Sequence, residues 1–122
     1  KQVLGTLKAC PGAVRALAHI TGGGITENLN RALAADVDAV VERDGSKMGW
    51  DVPPVITYIS EHAELAPNEA CKTFNMGVGL CFIVAAEDEA ATVSALEAMG
   101  EKPFRVGTCV EGSGKVTYSD ER

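Results

Sequence analysis

His19-Ile20-Thr21-Gly22-Gly23-Gly24-Ile25-Thr26-Glu27-Asn28 sets three glycines between an apolar segment and an amphipathic one, and the rest of the chain can be read outward from that break. Upstream, Val14 to Ile20 is apolar enough for a strand, although its alanines would serve a helix too. Downstream, Ile25, Leu29 and Leu33 recur at four-residue steps while Glu27, Asn28 and Arg31 lie off the stripe, which predicts a helix packed on its apolar side. Glycine lets the backbone come close to a ligand, and amides at a helix start carry partial positive charge. The unit is therefore either an anion cradle or a tight turn. It matches neither the dinucleotide-binding glycine pattern nor the phosphate loop with its lysine and hydroxyl residue.

On the amino-terminal side, Val3 to Ala9 has helical spacing and stops before Pro11-Gly12. On the other side, Asp36 to Arg43 alternates as a half-buried strand and ends at Asp44-Gly45, and Lys47 to Pro54 reads as extended, with the only tryptophan, Trp50, and the pair Pro53-Pro54. Val55 to His62 and Asn68 to Phe74 read as helices. Leu80 to Ala86 is a near-continuous apolar run, expected as a central strand covered on both faces. Glu87 to Gly100 is a helix with acidic residues in its first turn and a core stripe of Val93, Leu96 and Met99. Pro103 to Glu111 and Lys115 to Ser119 read as a bulged hairpin around Gly112-Ser113-Gly114. This order predicts an α+β fold, a layered sheet of four or five mixed strands with helices, in one domain over residues 1–122.

The composition, 46% hydrophobic and 23% charged over 122 residues, is that of a globular chain with one core. Eleven basic against seventeen acidic residues give a net charge of −6, which repels nucleic acid and anionic lipid but leaves room for a small anion held locally. The longest apolar stretch, Val78 to Ala86, is about half of what a membrane helix needs, and no signal segment is evident, so a cytoplasmic protein without membrane contact is expected. Cys10, Cys71, Cys81 and Cys109 show no CxxC pair and read as reduced thiols, with no metal site. The chain starts at Lys1-Gln2-Val3 without methionine, which suits a piece of a longer protein and would suit processing equally.

Several residues near the glycines could carry chemistry. Thr21 with Gly22, Gly23 and Gly24 could hold a phosphate or carboxylate, while Glu27 and Asn28 face an amide, amidine or hydroxyl; alternatively Glu27 only complements the helix dipole. His19 could contact a phosphoryl oxygen or move a proton near neutral pH, or be structural. A second segment, Thr73-Phe74-Asn75-Met76-Gly77-Val78-Gly79, offers Asn75 to a ligand or to its own turn. No nucleophilic triad or close acidic pair stands in a recognisable frame.

Taken as a pair, HITGGGITEN at residues 19–28 and TFNMGVG at residues 73–79 closely resemble the C-terminal domain of aminoimidazole ribonucleotide synthetase. Ala16-Leu17-Ala18, Arg31, Leu33, Trp50, Pro53-Pro54 and Val106-Gly107 extend the resemblance over roughly Val3 to Val116. It implies a cyclo-ligase of de novo purine biosynthesis that converts formylglycinamidine ribonucleotide and ATP to aminoimidazole ribonucleotide, ADP and phosphate, by activating the formyl amide oxygen as a phosphate ester before an amidine nitrogen closes the ring. Such catalysis rests on positioning and electrostatic stabilisation. The resemblance further implies that an N-terminal domain, absent here, binds most of the ATP and Mg2+ and forms the homodimer, so the isolated chain is expected to be inactive. On that basis Thr21, Gly22, Gly23 and Gly24 form the anion cradle, Glu27 and Asn28 are nearby contacts, Asn75, Gly77 and Gly79 form a second wall for the ribonucleotide, and His19 is the catalytic candidate.

Asn30 and Ala34 depart from prolines usual in that family, and Lys72 stands where relatives carry an arginine; lysine does not reproduce a bidentate guanidinium clamp. The same superfamily includes selenophosphate synthetase, thiamine-monophosphate kinase, a hydrogenase-maturation factor and the amidotransferase of the preceding purine step. A stand-alone ligand-binding module is the alternative of a different class.

Overall fold

Prolines and glycines set most of the element boundaries. Helix α1 (Gln2–Ala9) stops ahead of Pro11-Gly12, where Gly12 takes a φ of 77°. Helices α3 (Pro54–His62) and α4 (Pro67–Thr73) each start on proline, whose missing N–H has no intrahelical partner to lose in a first turn. At α4 the Glu69 carboxylate also accepts the Ala66 N–H, at 3.3 Å. Helix α5 (Glu89–Ala98) ends on Gly100 at φ 86°, with Gly100 N–H donating to the Glu97 carbonyl and Glu101 N–H to that of Leu96, so its last carbonyls are satisfied.

The computed structural model describes residues 2–122, and its other elements are β1 (Val14–His19), α2 (Gly24–Asn28), β2 (Val37–Val41), β3 (Arg43–Asp44), β4 (Lys47–Met48), β5 (Leu80–Val84), β6 (Gly107–Glu111) and β7 (Val116–Tyr118). Short 3-10 turns at Leu29–Ala32 and Ser119–Glu121 extend α2 and β7. The mixed α and β content follows the sequence pattern, but among the described residues one sheet of four or five strands does not form. The described strands make three small sheets: β1 with β5, β3 with β4, and β6-β2-β7.

The expected hairpin of the last two strands is also corrected, because β2 lies between them. β6 runs antiparallel to β2, pairing Val37 with Glu111 and Val41 with Gly107, and β7 runs parallel to it, pairing Ala39 with Val116. The 112–115 connection therefore arches over the start of β2. The Asp38 carboxylate holds it there, accepting the Ser113 and Lys115 N–H groups at 2.8 and 2.9 Å. Those two hydrogen bonds, that of Ser113 foremost, hold the Asp38 carboxyl below the usual carboxylate range. Gly107 is required by the close approach of β6 to β2, since a Cβ there would collide with the Val40 carbonyl.

β5 also differs from the expected central strand. Its run of apolar residues reads as two-sided burial, yet among the described residues it pairs with β1 alone, and Leu80 is 41% exposed while Cys81 is buried. An unbroken apolar run has no period with which to separate those two cases.

The chain divides into two compact units, residues up to Leu17 with Phe82–Phe104, and Ala18–Cys81 with Arg105–Arg122. In the first, α1 packs on α5 where Gly5 leaves room for the Met99 sulfur, and Thr6 and Thr92 are buried. The expected α5 stripe of Val93, Leu96 and Met99 is only half-buried. In the second unit the core centres on Ile25, Val41 and Cys71, all nearly inaccessible, with full burial of an aliphatic side chain such as Ile25 or Val41 worth about 1.5–3 kcal/mol. The four thiols are free, and burial pushes the Cys81 pKa up to about 11. No helix among the described residues is long and apolar enough to cross a membrane.

Candidate functional site

Within the second unit, the end of β1 delivers His19, exposed, to the glycine turn. Ile20 is buried, and its N–H donates to the Gly79 carbonyl at 3.0 Å, so the first residue after β1 is tied to the last residue before β5. This bond brings the two glycine-bearing segments side by side. Gly23 and Gly24 take φ values of 96° and 64°, in the left-handed region that favours glycine, and Gly24 N–H closes the turn on the Thr21 carbonyl at 3.0 Å. Gly24 is buried against the Cys71 and Phe74 carbonyls at the end of α4, where any Cβ would collide. Thr21 and Gly22 are exposed, and a Cβ on Gly22 would meet nothing within 4 Å.

Asn28, expected to face a ligand, instead turns into the loop. It is 4% exposed, and its Nδ2 donates to the carbonyls of Thr21, Gly22 and Gly24 at 3.2, 3.0 and 2.8 Å. The side chain thus clamps the turn from behind. Glu27 is exposed, its N–H donates to the Gly23 carbonyl at 3.3 Å, and its carboxylate folds back so that a Cβ on Gly23 would lie 2.8 Å from Oε2. A phosphate seated directly on that helix start would meet this negative charge, as the sequence pattern implies.

The second segment is an Asx-type turn. Asn75 Oδ1 accepts the Gly77 N–H at 2.8 Å, and the Asn75 carbonyl accepts the Val78 N–H at 3.0 Å. Met76 and Gly77 are both left-handed, at φ 54° and 87°. Trp50 Nε1 donates to the Met76 carbonyl at 2.9 Å, and Pro53 packs where a Cβ on Gly77 would stand, so the Trp50 and Pro53-Pro54 features frame this turn. Gly77 and Gly79 are exposed. Lys72 is exposed on α4. The surface so formed offers exposed glycine backbone beside a threonine hydroxyl and an imidazole.

A cluster behind the turns is not marked by any local pattern in the sequence. Arg43 is 7% exposed; its Nε and Nη2 donate to the Asp120 carboxylate at 2.9 Å each, and its Nη1 to Asn68 Oδ1 at 2.8 Å. Desolvation works against the Arg43 charge, but the hydrogen bond and charge of Asp120 outweigh it and raise its pKa. The same hydrogen bond is the main reason that the Asp120 carboxyl lies below the usual range. The guanidinium carbon stands 4.0 Å from the centroid of the Tyr118 ring, and the Tyr118 hydroxyl is 2.7 Å from Thr26 Oγ1. Burial holds the Tyr118 phenol well above the ordinary tyrosine range, so it stays protonated.

Two glycine turns are joined through the start of a strand pair, the first clamped by the buried Asn28 and the second framed by the half-buried Trp50, and together they present exposed backbone in a chain of mixed α and β content. The chain belongs to the family described as "AIR synthase related protein, C-terminal domain", which matches residues 1–119. Its relatives include proteins named phosphoribosylformylglycinamidine cyclo-ligase. That of Methylobacillus flagellatus is 40% identical over 116 residues, covering 94% of this chain and 32% of that protein. That of Cupriavidus necator is 39% identical over 107 residues, covering 88% and 29%, and that of Alkaliphilus oremlandii 34% identical over 116 residues, covering 95% and 32%. The chain therefore spans 29–32% of the length of these curated relatives.

Proposed function

We propose that this chain is the substrate-binding C-terminal part of a phosphoribosylformylglycinamidine cyclo-ligase, an enzyme of de novo purine biosynthesis that acts in the cytoplasm. The observation that carries the proposal is the meeting of residues 19–28 and 73–79 through the Ile20–Gly79 hydrogen bond, in a family whose relatives bear that name. Thr21 and Gly22 would receive the phosphate of the ribonucleotide, away from the Glu27 carboxylate, with Gly23 and Gly24 setting the turn, Gly77 and Gly79 as the facing wall, and Glu27 directed to an amidine or hydroxyl group. Asn28 and Asn75 act on the turns themselves, as their hydrogen bonds indicate. Among the described residues no three His, Cys, Asp or Glu side chains converge. ATP, Mg2+ and the homodimer contact are assigned to an N-terminal domain of the full-length enzyme.

The test is thermal protection of the full-length enzyme. Formylglycinamidine ribonucleotide should raise its Tm, by the mass-action stabilisation of the form that binds; protection by thiamine monophosphate alone would overturn the proposal. His19→Ala in the same enzyme should lower kcat/KM by at least about tenfold if the imidazole handles a proton or a phosphoryl oxygen. A value within about twofold of wild type removes His19 from that role.

A further inference from the structure

The Arg43 cluster has no part in the proposed binding surface, yet it is bonded to both of the elements that shape the first glycine turn. Asn68, which accepts from Arg43, belongs to α4, the helix whose last carbonyls pack against Gly24. Tyr118, under the same guanidinium, reaches Thr26 in α2, two residues beyond Gly24. α2 has five residues, too few to fix its own orientation, because a helix that short is not stable by itself. Left-handed Gly23 precedes it and left-handed Gly24 opens it, and neither gives it stiffness. Its placement must come from tertiary contacts: Ile25 buried in the core, Gly24 against the Cys71 and Phe74 carbonyls, the Asn28 clamp inside the loop, and the Tyr118 hydroxyl on Thr26, a directed side-chain bond from β7.

The hydroxyl is the informative atom. Tyr118 is 2% exposed, and a phenylalanine would supply the same ring to the core and to Arg43 without a buried polar atom to satisfy. What the tyrosine adds is one directed bond to the helix that carries the turn. We propose that Tyr118 is a positioning residue for the substrate-binding glycine turn, acting through the Thr26 hydroxyl with Arg43 holding the ring in register; this rests on the reading of residues 19–28 as that turn. A bond serving only stability would change how much folded enzyme exists, not the affinity of each folded molecule. A bond that sets the turn changes affinity.

In the full-length enzyme, KM for formylglycinamidine ribonucleotide, kcat and Tm are measured for Tyr118→Phe, Thr26→Val and the double variant. Each should raise KM about fivefold, as for one lost neutral hydrogen bond, with kcat within about twofold, and the double variant should be no worse than either. Thr26→Ser, which keeps the hydroxyl, should return KM to within about twofold of wild type. Gly23→Ala distorts the turn directly and serves as reference. If Gly23→Ala raises KM while Tyr118→Phe and Thr26→Val leave it unchanged, or lower only Tm, the positioning role is overturned and the turn's role stands. If Gly23→Ala also leaves KM unchanged, the turn does not bind the substrate and the inference falls with it. Should Tyr118→Phe fail to fold, the Thr26→Val and Thr26→Ser pair gives the same decision.

Discussion

Gly22 and Gly24 stand two residues apart in one turn and carry opposite demands. Gly24 has a φ of 64° and the Cys71 and Phe74 carbonyls where a Cβ would go, so Gly24→Ala should destabilise the fold by at least about 2 kcal/mol. Gly22 faces open space, and Gly22→Ala should fall within about 0.5 kcal/mol of wild type. Urea unfolding of the two variants side by side checks both values. The sequence shows three glycines without showing which is indispensable, because the difference comes from α4, which lies more than forty residues downstream of the turn. The same holds for Asn28: its place after the glycines was legible, but whether its amide faces a ligand or the loop depends on the turn's carbonyls converging on it.

The start of α3 and the end of α5 were the most legible, since Pro54 and Gly100 act through local backbone chemistry that needs no partner elsewhere, whereas the helix expected to carry Ile25, Leu29 and Leu33 ends at Asn28 and continues only as a 3-10 turn. Strand pairing was legible only as strands. Gly112-Ser113-Gly114 has the composition of a hairpin turn, and what makes it an arch over β2 is Asp38, which is 75 residues from Ser113 in sequence. Asp38→Ala should release this arch, so the amide hydrogens of Ser113 and Lys115 should exchange at least about tenfold faster, as expected when a charged acceptor is lost. Unchanged protection of both amides would mean that the arch is held by its backbone bonds to Asp36, Val37 and Ala39.

Across the molecule, the Arg43–Asp120 pair ties the residues after β7 to β3. The Asp120 carboxyl is depressed in the folded state, so the stability it contributes is present above the ordinary carboxylate range and is lost as pH falls through its lower native value. The stability difference between wild type and Asp120→Asn should therefore be full at pH values above about 5 and should shrink below about 4. Urea midpoints of the two proteins across that window measure it, and a difference independent of pH would show that the carboxylate's charge is not the source.

The placement of β2 between β6 and β7 also governs the order in which the chain can acquire structure. Every partner of β2 in its sheet comes from residues 107–118, so its ladder is among the most non-local in the molecule, and such pairings form late. During synthesis on the ribosome Val37–Val41 emerges long before those partners, an apolar strand with both backbone edges bare. Substitutions that slow the arrival of β6 or β7 would then appear first as aggregation of nascent chains, before any loss of affinity in the molecules that do fold.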